Sequence, residues 1–97
     1  MRNLGLKTSK KLVARSIHSG THFKVLAMGF NKGMILSDHK AHLPTKLTVL
    51  SGKVIYKQEN REWNLSTYAE IDIPVDVTHS VIALEDSLCL LTQGYNP

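Results

Sequence analysis

The chain has 97 residues and a single cysteine, Cys89, so no internal disulfide can form. Its setting in the apolar stretch Leu88 to Leu91 marks it as a small buried hydrophobe. Long apolar runs are also missing. None exceeds four residues, as in Val25 to Met28, whereas a membrane span needs about 18. Behind Arg2, Lys7, Lys10 and Lys11 there is no apolar core of about 7 to 15 residues such as a signal peptide requires. A cytoplasmic protein without a membrane segment is therefore the expectation.

Charge of each sign is absent from one end of the chain. No acidic residue precedes Asp38 and no basic residue follows Arg61, so the net charge of +4 conceals a segregation. Seven basic residues lie in the first 37 positions, and six acids (Glu62, Glu70, Asp72, Asp76, Glu85, Asp86) lie beyond Arg61. A basic arm can serve nucleic acid or another acidic surface. Aromatic residues interleaved with the charges, which single-strand binders use for stacking, are lacking here, so the ends are expected to pair within the fold or across a dimer. Nucleic acid is the less expected partner.

Familiar catalytic signatures are missing as well. There is no phosphate loop, no dinucleotide fingerprint and no paired C-x2-C. Ser80 follows His79 directly, but neighbours in a strand face opposite ways, so the two do not make a hydrolytic dyad. No catalytic residue is assigned.

No apolar stripe with helical spacing runs for three turns. Short β-rich runs are present instead: Lys11 to Ile17, His22 to Phe30, Met34 to Leu36, Lys46 to Leu50, Lys53 to Gln58, Glu62 to Leu65, Ala69 to Ile73, His79 to Leu84 and Leu88 to Thr92. Nine strands at such close spacing predict one all-β domain, a sandwich or closed barrel, over residues 1–97. Residues 1–10 are expected to form a flexible or dimer-contacting extension. The turns Gln58-Glu59-Asn60-Arg61 and Glu85-Asp86 predict two local hairpins. Val81-Ile82-Ala83-Leu84 is apolar on both faces, so a second sheet or a second subunit is expected over the outer one.

Two segments carry a resemblance. Gly33, His39 and Gly52 fall in frame on the pattern G-x5-H-x-H-x3-E-x6-G, and Pro74 and His79 fall in frame on G-x5-P-x-G-x2-H-x3-N. Fifteen residues, 53–67, separate the two segments. Over about its last two-thirds the chain thus resembles the small single-domain cupins, which implies a jelly-roll β-barrel. Gly33 and Gly52 stand at strand junctions that suit a left-handed or closely approached backbone, and Pro74 ends the strand before it. Tyr68, Asp76 and Ala83 replace the second pattern's two glycines and its asparagine.

The resemblance also implies a site. Metal-binding cupins hold a divalent ion (iron, manganese, zinc or nickel) with two histidines and a glutamate of the first motif and a histidine of the second. Here His39 and His79 keep their places, while Ala41 and Thr45 replace the other two donors. His42, one residue out of frame, is the candidate third metal ligand if a bulge near Lys40 turns it inward. Regular alternation would point Ile35, Ser37, His39 and Ala41 one way together, and His79, Val81 and Ala83 likewise in their strand; the resemblance implies that this direction is into the barrel. His39, Ala41, Thr45, His79 and Val81 are accordingly expected to line the cavity. Trp63 is expected in packing near the cavity mouth, and Met28 and Met34 in the core or pocket wall.

A barrel framework around a depleted metal site predicts a homodimeric small-ligand-binding protein without catalysis. The alternatives are a metal-dependent oxygenase or isomerase using His39, His79 and a third ligand, and an interaction protein with a basic N-terminal face.

Overall fold

Nine strands carry the described chain: β1 (Val13–Ser19), β2 (Phe23–Phe30), β3 (Ile35–His39), β4 (Thr45–Ser51), β5 (Lys53–Gln58), β6 (Arg61–Ser66), β7 (Glu70–Ile73), β8 (His79–Ala83) and β9 (Ser87–Gly94). This computed structural model describes residues 13–94, with the backbone alone at 38 and 39. The expected extension over 1–10 and the start of the first expected strand, residues 11 and 12, lie outside the described residues. No helix among the described residues is long and apolar enough to cross a membrane.

The strands form two antiparallel sheets, one in the order β1-β2-β9-β4-β7 and one in the order β3-β8-β5-β6. Their alternation follows from the sequence. In β8, His79, Val81 and Ala83 are buried while Ser80 and Ile82 are half-buried, and β4 and β5 repeat the same period of two. The inner faces meet in one core. Met28, Phe30, Leu47, Val49 and Cys89 come from the larger sheet, and Val54, Tyr56, Leu65, Val81 and Ala83 from the smaller. Each large apolar side chain so buried contributes about 1.5–3 kcal/mol.

Only two connections are hairpins within a sheet, β1–β2 and β5–β6. The other six of the eight cross from one sheet to the other. The Glu85-Asp86 turn is one of these crossings, so the expected second hairpin is not formed: β8 pairs with β3 and β5, and β9 with β2 and β4. Tight spacing in sequence marks a sharp turn, but it does not say whether the turn stays in one sheet.

Four crossings are turned by residues with positive φ. Gly33 (88°) lies between β2 and β3, Gly52 (96°) between β4 and β5, Tyr68 (74°) between β6 and β7, and Asp76 (61°) between β7 and β8. These are the four glycine positions of the two sequence patterns, and two of them here are not glycine. Gly52 is doubly constrained, since a Cβ there would strike Ser87 and the Asp86 carbonyl. Buried Ser87 closes that corner: its Oγ accepts from Lys53 N (3.0 Å) and donates to Glu85 O (2.8 Å).

The expected alternation along β3 fails at one place. Ile35 (59% exposed) and Ser37 point outward, and Leu36 packs against the core. The register runs Ile35↔Ile82 and Leu36↔Val81, then skips to His39↔His79, so one extra residue is accommodated in β3. That bulge exchanges the two faces of the strand before the site begins. Ala41, beyond it, is buried and forms a parallel bridge with Val75.

Candidate functional site

The open end of the smaller sheet carries a cross-strand row in which His79 pairs with His39 on β3 and with Gln58 on β5, and Gln58 pairs with Arg61 on β6. His39 and His79 are thus backbone neighbours on adjacent strands of one sheet. His79 is 8% exposed, with Nδ1 3.3 Å from Val77 O. Its ring stacks on Tyr56, with centroids 5.7 Å apart.

Tyr56 occupies the next row inward, paired with Val81 and Trp63. It is fully buried, and its hydroxyl donates to Gln58 Oε1 at 2.9 Å. Burial raises its pKa above the usual phenol value, so it serves as a neutral donor near pH 7. Trp63 packs against Tyr56 at 5.6 Å, and the Arg61 guanidinium lies 4.9 Å above the indole. An aromatic and amide layer therefore backs the histidine on one side.

On the other side a chamber of about 210 Å³ opens between the sheets. Ala41, Thr45 and His79 line it, together with Leu26, Met28, Leu36, Ile73 and Leu91. Val81, expected at this wall, is 2% exposed and belongs to the core among the inner strands instead. Thr45 Oγ1 donates to Leu43 O (2.8 Å) and accepts from Gln93 Nε2 (3.3 Å). A shallower polar groove of about 490 Å³ lies outside, lined by Lys57, Gln58, Glu59, Asp76 and Thr78. Lys40 and His79 border both spaces, and so stand where one passes into the other.

Sequence reasoning missed Lys40, Tyr56, Gln58 and Gln93. A signal for Gln93 was present: it continues the inward parity of Cys89 and Leu91 in β9. Lys40, a charged residue in a segment read for its histidines, gave none.

His42 does not reach the chamber. Its side chain is 80% exposed, and Nδ1 lies 2.9 Å from Asp76 Oδ1. The bulge falls before His39 and leaves Ala41, not His42, at the buried position. Among the described side chains lining the chamber, His79 alone is of a type that commonly holds a divalent transition metal. Ala41 offers no donor, and the Thr45 hydroxyl is engaged with Leu43 O and Gln93. Among the described residues no group of three His, Cys, Asp or Glu side chains converges.

Two face-to-face antiparallel sheets linked by six crossings, with a cavity at one open end, define a cupin jelly-roll fold, and solved structures agree. A conserved protein of unknown function from Streptococcus pyogenes superposes with a TM-score of 0.82 at 16% identity, covering 100% of this chain and 88% of that one. A cupin superfamily protein from Desulfitobacterium hafniense gives 0.82 at 12% identity, over 89% of this chain and 79% of that one. KdgF from a Halomonas species gives 0.79 at 18% identity, over 92% and 84%. No protein-family model and no curated protein matches the sequence.

Proposed function

We propose that this cupin-fold chain is a small-ligand-binding barrel that takes its ligand into the chamber behind His79. One observation carries the reading: an apolar chamber of about 210 Å³ lies between the sheets and borders a polar groove at Lys40 and His79. An apolar enclosure with a few polar groups at one end is the usual form of a small-molecule site. Its volume corresponds to about seven molecules of liquid water at ~30 Å³ each, which limits the ligand to a small one.

The test is a thermal-shift and ligand-observed NMR screen of small molecules against the wild type and Ala41→Leu. The substitution puts three carbons into the chamber from a buried wall position. Compounds that stabilise the wild type should lose their effect on the variant. If no compound stabilises the wild type, or if every hit binds Ala41→Leu equally well, the chamber is not the site.

A further inference from the structure

The chemical class of the ligand follows from how charge is distributed around the chamber, and this step rests on the chamber being the binding site. Along the site, Lys57 Nζ lies 3.8 Å from Glu62, and Lys46 Nζ lies 3.5 Å from Glu70 and 3.9 Å from Asp72. Lys40 has no carboxylate within ion-pair distance among the described residues, although it borders both the chamber and the groove. No carboxylate is among the described residues lining the chamber. Asp76 and Glu59 belong to the outer groove alone, and Asp76 is bound to His42.

The backbone beneath Lys40 is fixed. Ala41 bridges Val75, and Ala41 O accepts from Asp76 N at 2.8 Å, so the lysine stem starts from an anchored position. Within the barrel no buried side-chain nitrogen or oxygen among the described residues lacks a hydrogen-bond partner. Gln93 Nε2 donates to Thr45 Oγ1, whose own hydroxyl donates to Leu43 O. Most of the lining, Leu26, Met28, Leu36, Ala41, Ile73 and Leu91, offers no side-chain hydrogen bond, so a hydroxyl-rich molecule would leave most of its groups unsatisfied there.

We propose that the chamber takes a short-chain monocarboxylate, its hydrocarbon body held between the sheets and its carboxylate at the Lys40 ammonium. A single ammonium suits a single negative charge. A phosphate-type dianion is usually met by several donors, such as arginine forks or a helix N-terminus, and neither lines this chamber. The volume fits about seven heavy atoms, the size of a five-carbon acid.

Isothermal titration with four ligands that each contain five carbons (pentanoate, pentanamide, pentylamine and pentylphosphonate) tests the proposal on the wild type, Lys40→Met and Lys40→Arg. Pentanoate should bind the wild type about tenfold more tightly than pentanamide. Pentylamine should not bind. Lys40→Met should lower pentanoate to the level of the amide and leave the amide unchanged, while Lys40→Arg should keep the preference for the acid. Equal binding of acid and amide, an acid preference that survives Lys40→Met, or tighter binding of the phosphonate overturns the carboxylate assignment and leaves the ligand-binding barrel standing. If none of the four binds but another compound is lost on Ala41→Leu, the assignment again fails alone. If no compound of any kind binds the chamber, both readings fall together.

Discussion

Tyr68 holds a left-handed backbone, φ 74°, that a side chain with a Cβ adopts at a cost of about 1–2 kcal/mol. Its side chain is 82% exposed and gains little by packing there. Tyr68→Gly should relieve that cost but add back about 0.5–1 kcal/mol of unfolded-chain entropy. The net expectation is a gain of about 0.5–1 kcal/mol, visible as a higher urea midpoint at unchanged slope. Asp76 (φ 61°) differs, because aspartate tolerates this region and an exposed pair such as His42–Asp76 is worth about 0–1 kcal/mol. Asp76→Gly should leave the midpoint nearly unmoved, and a large loss would show that the His42 contact matters. At Cys89, burial pushes the thiol from its ordinary 9.0 up to about 11. A neutral thiol is favoured in the fold, so stability is full below pH 9.0 and declines as pH rises toward about 11, where the unfolded chain ionises first. Denaturant midpoints at pH 8 and pH 10.5 should show a larger decline in the wild type than in Cys89→Ala, each variant being compared with itself, with buried Tyr56 contributing to the decline that remains in the variant.

Among the elements, the crossings between sheets are the sensitive points. Gly52→Ala places a Cβ against Ser87 and the Asp86 carbonyl at a positive φ, and should cost about 3 kcal/mol or more. Gly33→Ala has the same sign of φ but meets nothing within 4 Å, so about 1 kcal/mol is expected. Equal losses at the two glycines would show that backbone conformation alone decides, and would remove the steric part of the account.

Much of the strand pattern was legible because alternation is local. The period of two in Val54-Ile55-Tyr56 or His79-Ser80-Val81 reads directly from the residue types. The bulge in β3 was not, since Ile35, Ser37 and His39 alternate as a regular strand would, and only the skip in pairing with β8 reveals the extra residue. The same limit applied to the site. The frame placed Ala41, Thr45 and His79 near one another, but Lys40 and Gln93 reach the chamber through a crossing and through the pairing of β9 with β4, neither of which has a local signal.

The molecule as a whole presents an unbalanced surface. Ile35, Ile82 and Ile55 are register partners across β3, β8 and β5 on the outer face of the smaller sheet, and Leu84 follows at the end of β8, 37% exposed. This is the outer face for which a second sheet or a second subunit was expected from Val81 to Leu84. If a second copy covers it, sedimentation equilibrium at about 100 µM gives twice the monomer mass, and Ile35→Glu returns the monomer. A wild-type monomer at that concentration sinks the expectation. The opposite charges at the two ends of the chain do not meet as side chains among the described residues: Lys32 reaches Asp86 through its backbone N–H, at 2.7 Å.

Six crossings among eight connections also set how this chain finds its structure. Phe23 pairs with Gly94 and Thr45 with Gln93, so the central strands of the larger sheet close only when distant parts of the chain have met. The entropy of those closures is spent before their contacts are gained, which places folding in the range of about milliseconds to seconds. Until β9 arrives, β2 and β4 each lack a neighbour they share, and the newly made chain is open to pairing with other strands. The arrangement that encloses the chamber in the finished barrel thus makes its last strand the one on which assembly waits.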